Sequence, residues 1–86
     1  MYDIPETVEE LFSNGEAAYS ITDPEQPGDN IFAMRLFLDL VGVPDGFIEI
    51  DDGTQVTVFD GETRLVIDSG GLGDFHLHGF TTTVVE

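Results

Sequence analysis

The chain has 86 residues, no Cys and no Lys, and its 18 acidic residues against two Arg give a formal net charge of −16. The absence of Cys excludes a disulfide framework and a thiolate metal site, and 41% hydrophobic residues suffice for one small core. We therefore expect a single domain spanning residues 1–86, whose electrostatic field repels nucleic acid, anionic membranes and phosphorylated ligands.

The N-terminus carries no targeting pattern. The segment MYDIPETVEE lacks both a basic n-region and an apolar h-region, and the longest apolar segment is interrupted by Arg35 and Asp39. These features predict a cytoplasmic protein without a membrane-spanning segment.

The first 22 residues predict a short helix followed by a strand. Residues 5–14 are typical of a helix with Pro in its first turn and Gly15 as its stop, and its buried residues are Val8, Leu11 and Phe12. Residues 16–22 alternate as in a strand, with Ala17, Tyr19 and Ile21 on one side. The acidic segment 23–29, with two Pro and a Gly, predicts a loop.

The most apolar segment, Asn30–Val41, predicts the core helix. Asp29 or Asn30 can cap its start, and Gly42 followed by Pro44 ends it. Arg35 and Asp39 lie one turn apart as its charged pair. Helical spacing assigns six apolar residues to the buried face, namely Ile31, Met34, Phe37, Leu38, Leu40 and Val41.

Three short β-rich runs after Pro44 predict an antiparallel meander. A three-residue loop at residues 52–54 pairs Ile48 with Val58 and Ile50 with Val56. A two-residue turn at Asp60 and Gly61 pairs Val58 with Thr63 and Val56 with Leu65. The predicted inner face of the meander consists of Ile48, Ile50, Val56, Val58, Leu65 and Ile67.

The remaining residues predict a flexible connection and a last strand. The glycine-rich segment 69–74 is interpreted as the connection, and residues 75–85 as the strand, with a bulge at Gly79. The predicted fold is therefore α+β, in the order α-β-α-β-β-β-β. It has a mainly antiparallel sheet of four to five strands, the core helix on one face and a short N-terminal helix.

Residues capable of catalysis or metal binding are few. His76 and His78 lie two apart on the last predicted strand and could share a metal with Asp74, but a zinc site needs three or four ligands, so we expect both histidines to face solvent or a partner. The segment GGLGD is one residue short of a calcium repeat, and no nucleophile motif surrounds any Ser. We therefore predict no enzyme activity, no cofactor and no metal.

The outer face of the meander is the predicted interface. There Phe47 is expected opposite Phe59, so that an aromatic pair is flanked by acidic residues. The alternatives are that this face is covered by helix 5–14 or by a second copy of the chain, which would make a homodimer. The candidate partner-binding residues are Phe47, Glu49, Asp51, Asp52, Phe59, Asp60 and Glu62.

Small, strongly acidic chains without Cys and Lys are typical of inhibitors that occupy a basic nucleic-acid-binding groove, including many phage-encoded anti-CRISPR proteins and DNA mimics. We therefore hypothesise an inhibitor that binds a basic protein or nucleoprotein complex by phosphate mimicry and does not bind nucleic acid itself. Two alternatives stay open: an immunity protein against a cationic toxin, and a domain whose acidity is an adaptation to high salt.

The charge excess also predicts salt-dependent stability. We expect the midpoint of thermal unfolding to rise between low ionic strength and about 1 M salt, because self-repulsion is screened once the Debye length falls to about 3 Å. Calorimetry across a NaCl series measures this shift, and a midpoint independent of salt would contradict it.

Overall fold

The computed structural model describes residues 4–22, 30–74 and 77–85. In these ranges the chain forms two helices and five strands, with a short 3₁₀ helix at Asp45–Phe47. In chain order they are α1 (Val8–Asn14), β1 (Ala18–Thr22), α2 (Asn30–Val41), β2 (Ile48–Asp51), β3 (Gln55–Phe59), β4 (Arg64–Asp74) and β5 (Leu77–Val85). This order confirms the predicted α+β class.

The five strands form one antiparallel sheet in the order β1-β5-β4-β3-β2. Leu11 of α1 and Phe37 of α2 belong to the same buried cluster as Val58 of β3 and Leu65 of β4. Both helices therefore pack on one face of the sheet, here called the inner face. The alternative in which the N-terminal helix covers the opposite face is wrong.

The cap of α1 is made by side chains close in sequence. Thr7 Oγ1 accepts a hydrogen bond from the backbone N–H of Glu10 at 3.2 Å, and Glu10 Oε1 accepts one from the N–H of Glu6 at 2.9 Å. Gly15, at φ +64°, ends the helix. Because Thr7 is the cap, the helix begins at Val8 and not at the predicted Pro5.

The core helix α2 has the predicted bounds. Gly42 adopts φ +87°, and the N–H of Val43 donates to the carbonyl of Leu38 at 3.0 Å, as in a Schellman stop. The described buried residues of α2 are Ala33, Met34, Phe37, Leu38 and Val41. The prediction that Leu40 belongs to this buried face is wrong. Leu40 lies at the edge of the apolar face of α2 and is 40% exposed. The predicted cap Asp29 lies outside the described residues.

An aromatic cluster joins α2 to the sheet. The ring of Phe37 stacks on Phe80 of β5 with 4.6 Å between centroids, and the ring of Tyr19 of β1 lies 5.8 Å from Phe37. The hydroxyl of Tyr19 accepts a hydrogen bond from Asn14 Nδ2 at 3.0 Å, which ties the end of α1 to the same cluster.

The β2–β3 hairpin differs from its predicted register. Ile48 pairs with Val58 as expected, but a bulge follows, so that Ile50 pairs with Thr57 and not with Val56. The loop spans the predicted residues 52–54 between the two strands, and the N–H of Asp52 donates to the carbonyl of Gln55 at 3.1 Å. Since the bulge adds one residue to β2, Ile50 moves to the other face of the sheet, where it is 62% exposed.

The β3–β4 hairpin is shifted by two residues from its predicted register. Val58 pairs with Leu65 and Val56 with Ile67, so the predicted pairings of Val58 with Thr63 and of Val56 with Leu65 are wrong. A shift of two residues keeps each side chain on its face. Val56, Val58, Leu65 and Ile67 are therefore fully buried on the inner face, as expected.

The predicted flexible connection at residues 69–74 is part of a strand. β4 continues to Asp74 and stays paired with β5, with two irregularities on the β4 side rather than the predicted bulge in β5 at Gly79. Of the predicted last strand, residues 75 and 76 lie outside the described ranges.

Neither described helix reaches the length and hydropathy that crossing a bilayer requires.

Substitution of two α2 residues tests the packing direction of this helix. Leu38 is buried and Arg35 is exposed. We expect Leu38→Ala to lower the free energy of unfolding by about 2–5 kcal/mol, the usual cost of truncating a buried leucine. Arg35→Ala should change it by about 0.5 kcal/mol or less. Urea unfolding of both variants measures the order, and a larger loss for Arg35→Ala would contradict the assigned packing.

Candidate partner interface on the outer sheet face

The outer face of the sheet is the surface opposite the two helices. Cross-strand pairing places three rows of side chains on it. The rows are Ile50, Thr57, Val66 and Thr83; Phe59, Arg64 and Val85; and Gln55, Asp68 and Thr81. Among the described residues, no helix packs on this face.

The exposed apolar side chains of the outer face lie toward its borders. Ile50 is 62% exposed on the edge strand β2, and Val85 is 39% exposed at the end of β5. Val66 and Phe59 are half-buried between them, and Thr57 is buried although it faces outward. The face is therefore a mixture of threonine hydroxyls and aliphatic groups, which offers contact area to a partner.

Arg64 is held by two groups on the outer face. Its Nε donates to Glu49 Oε1 at 2.7 Å and its Nη2 to Glu49 Oε2 at 3.1 Å, which is a bidentate ion pair. The guanidinium carbon lies 4.4 Å from the centroid of the Phe59 ring, a cation–π distance. Three strands, β2, β3 and β4, each contribute one member of this cluster.

The ion pair changes the titration of Glu49. Hydrogen bonding from Arg64 holds the pKa of the Glu49 carboxyl below its ordinary value, and the charge of Arg64 acts in the same direction. Glu49 is therefore ionised and already neutralised by Arg64. Its charge does not add to the acidic field that the sequence predicts for this surface.

Phe47 and Phe59 do not form the predicted facing pair. Phe47 belongs to the 3₁₀ helix before β2, and its ring meets Phe12 of α1 edge-on with 6.2 Å between centroids. Phe59 lies instead beneath Arg64. The 3₁₀ turn removes Phe47 from the ladder of β2 and turns its ring toward the helices, which the strand pattern could not show.

The seven predicted partner-binding residues fall into separate groups. Glu49, Phe59, Asp60 and Glu62 lie together at one end of β3, near Arg64. Asp52 lies at its other end, about 17 Å from Asp60 along this five-residue strand, and Asp51 lies beside Asp52, two residues after Glu49. An antiparallel meander places successive loops at opposite ends of the sheet, so the acidic groups border the outer face on two sides.

The two acidic loops share one backbone arrangement. Asp52 Oδ1 accepts from the N–H groups of Thr54 and Gln55 at 3.2 and 2.8 Å. Asp60 Oδ1 accepts from Glu62 and Thr63, both at 2.8 Å. The next residue in each loop is a glycine at φ +97° or +103°. Asp52 and Asp60 therefore close the turns in addition to carrying charge.

The backbone hydrogen bonds also affect the titration of Asp60. The N–H groups of Thr63 and Glu62 hold the pKa of its carboxyl below the ordinary value, because they stabilise the ionised form.

Arg64 and Ile50 lie on the outer face but are not among the candidate partner-binding residues predicted from the sequence. The signal for Arg64 was its position as one of two cations in the chain, with Phe59 and Glu49 on neighbouring predicted strands. No signal in the sequence marked the bulge that turns Ile50 outward.

The expected exposure of the histidines is wrong for His78. This residue is fully buried, because it lies on the same side of β5 as Phe80 and Thr82 and opposite Ile21. His76 lies outside the described residues, as does the side chain of Asp74. Within the described part of the chain, no three metal-binding side chains come together.

Comparisons of the chain with protein-family models, curated proteins and solved structures gave no match.

Neutralising Asp60 tests its role in the turn. Because the folded state lowers the Asp60 pKa, its contribution to stability is present above the unfolded pKa of about 4 and is lost as the pH falls through the folded value. We expect Asp60→Asn to be less stable than the parent at pH 6, and the difference to disappear once the pH lies below the folded-state pKa of Asp60.

Unfolding curves recorded at pH values chosen between 2.5 and 7 measure the stability difference between the parent and the variant as the carboxyl becomes protonated. Glu62→Gln is the matched control, since it removes the same charge from the same loop and keeps the Asp60 acceptor. An equal effect of both substitutions across this pH range would contradict a specific role of the Asp60 carboxylate in the turn.

Proposed function

We propose that this protein is an inhibitor that binds a basic surface of a protein or nucleoprotein complex and excludes nucleic acid from it. The observation that supports this proposal is the net negative charge of the chain compared with the length of the molecule. The molecule is 36 Å long, a length over which duplex DNA carries about 21 phosphates, and its formal net charge is −16. The acidic field is therefore comparable to that of the ligand it would replace.

The distribution of cations supports the same proposal. Of the two arginines, Arg64 is neutralised by Glu49, and Arg35 is exposed on α2, on the helical side of the sheet. On the described outer face, Asp68 and the acids of both loops have no cation opposite them. A basic partner approaching this face would meet no unneutralised positive charge there.

The apolar side chains of the outer face supply the contact that charge alone does not. Ile50, Val85 and the half-buried Val66 would be desolvated by a partner, while the acidic loops at both ends would form the polar rim. The proposed action is stoichiometric blocking, which requires no catalytic group, cofactor or metal. We propose that it takes place in the cytoplasm, where nucleic-acid-binding complexes are accessible.

Competition with nucleic acid is the direct test. Proteins captured on the immobilised chain from a host lysate are purified, and their binding to labelled nucleic acid is titrated with the free chain. We expect stoichiometric displacement of the nucleic acid, and binding of the chain that weakens steeply as salt rises. A salt-adapted domain would instead keep its partners at about 1 M salt. A captured cationic toxin without nucleic-acid binding would favour the immunity protein.

Variants of the outer face test where the partner binds. Asp68→Asn with Glu62→Gln should slow association several-fold at low salt, since acidic charges around the interface steer the encounter. Ile50→Ala should mainly speed dissociation, since buried anchors hold the complex. The rate constants are measured by surface plasmon resonance against the captured partner.

The controls lie on the helical side of the molecule. Glu9→Gln with Asp39→Asn removes the same charge from exposed positions of α1 and α2, and Leu40→Ala truncates an exposed apolar residue of α2. Control variants that change the rates as much as the outer-face variants would place the interface elsewhere.

A further inference from the structure

We propose that Glu49 and Phe59 form a recognition site for the guanidinium group of arginine. In the free chain the site is occupied by the chain's own Arg64, and in the complex by an arginine of the partner. This inference rests on the proposed function and specifies the chemistry of the basic partner: it presents arginine, and lysine does not replace it at this position.

The geometry around Arg64 defines the site. The carboxylate of Glu49 accepts two hydrogen bonds from Arg64, at 2.7 and 3.1 Å, while the Phe59 ring lies 4.4 Å from the guanidinium carbon. Glu49 and Phe59 belong to neighbouring strands, so the sheet keeps their backbones next to each other without Arg64. The Glu49 carboxylate and the Phe59 ring therefore form a negatively charged binding surface for a planar cation on the outer face of the sheet.

This combination of contacts is selective for guanidinium. A guanidinium is planar, offers parallel N–H donors to both carboxylate oxygens and can lie on an aromatic ring at the same time. An ammonium group is a compact, strongly hydrated charge that makes one of these contacts well but not all of them. The site should therefore discriminate between arginine and lysine, although the net charge of −16 attracts both.

Exchange of one arginine for another is energetically accessible. The side chains of Arg64 and Glu49 are 39% and 38% exposed, and ion pairs this exposed contribute little net stability. An incoming arginine forms the same two hydrogen bonds and the same ring contact that Arg64 gives up. Burial of the site under a partner would strengthen these contacts, because water no longer competes for them.

Emptying the site allows it to be tested with small probes. In the variant Arg64→Ala, we expect N-acetyl-arginine amide to bind at least about fivefold more tightly than N-acetyl-lysine amide, because only the arginine probe makes both contacts. Binding is followed by NMR, through the ring signals of Phe59 and the side-chain carboxyl of Glu49. Equal affinity for the two probes would overturn the proposal.

Two double variants control for the general acidity of the chain. Arg64→Ala with Glu49→Gln should lose the preference for the arginine probe, whereas Arg64→Ala with Glu9→Gln, which removes an exposed acid from α1, should keep it. Thermal unfolding of each variant establishes that it is folded. A preference that survives Glu49→Gln, or that disappears with Glu9→Gln, would also overturn the proposal.

The unmodified chain is tested with hexa-arginine and hexa-lysine peptides. We expect both to bind in a salt-sensitive manner, hexa-arginine several-fold more tightly, with a shift of the Arg64 Nε–H signal as Arg64 leaves the site. Equal binding of the two peptides would overturn the guanidinium site and leave the proposed function intact. No binding of either peptide at low salt would contradict both.

Discussion

The packing of α2 against the sheet is the constraint on which the rest of the structure depends. Phe37 of α2 stacks on Phe80 of β5, and Leu11 of α1 joins the same buried cluster. A chain of 86 residues has enough apolar residues for one small core, and both helices pack into it. The opposite face of the sheet is consequently without a helix in the described part of the chain, and it is the face to which we assign the proposed partner.

Two local features determine what that surface presents. The bulge in β2 turns Ile50 outward, and the aspartates of the two hairpin loops bind backbone N–H groups. Because the loops lie at opposite ends of β3, their charges border the face on two sides and leave threonines and aliphatic side chains between them. Much of the acidity of the meander therefore has a structural role in its turns as well as an electrostatic one.

The cluster of Glu49, Phe59 and Arg64 is the observation on which the proposed guanidinium site rests. One of the two cations of the chain lies against an aromatic ring and forms a bidentate ion pair. Such a cluster reproduces within one chain the contacts that an acidic interface makes with an arginine-rich partner. In the proposed inhibitor, the net negative charge would attract a basic partner, and the guanidinium site would select an arginine of that partner.

The sequence by itself determined the α+β class, the bounds of α2 and the buried residues of β3 and β4, because helical and alternating patterns report on burial at short range. It also determined the charge excess, which depends on composition alone. The register of both hairpins, the continuation of β4 through its glycines and the burial of His78 were decided by tertiary structure, since pairing depends on the partner strand. Of the candidate partner-binding residues, Glu49, Phe59, Asp60 and Glu62 lie close to one another in the structure, whereas Phe47 lies apart against Phe12, and the contacts of Arg64 were not predicted. Whether a charge is free or neutralised is decided by the side chain that folding places beside it, and Glu49 and Arg64 are 15 residues apart in the chain.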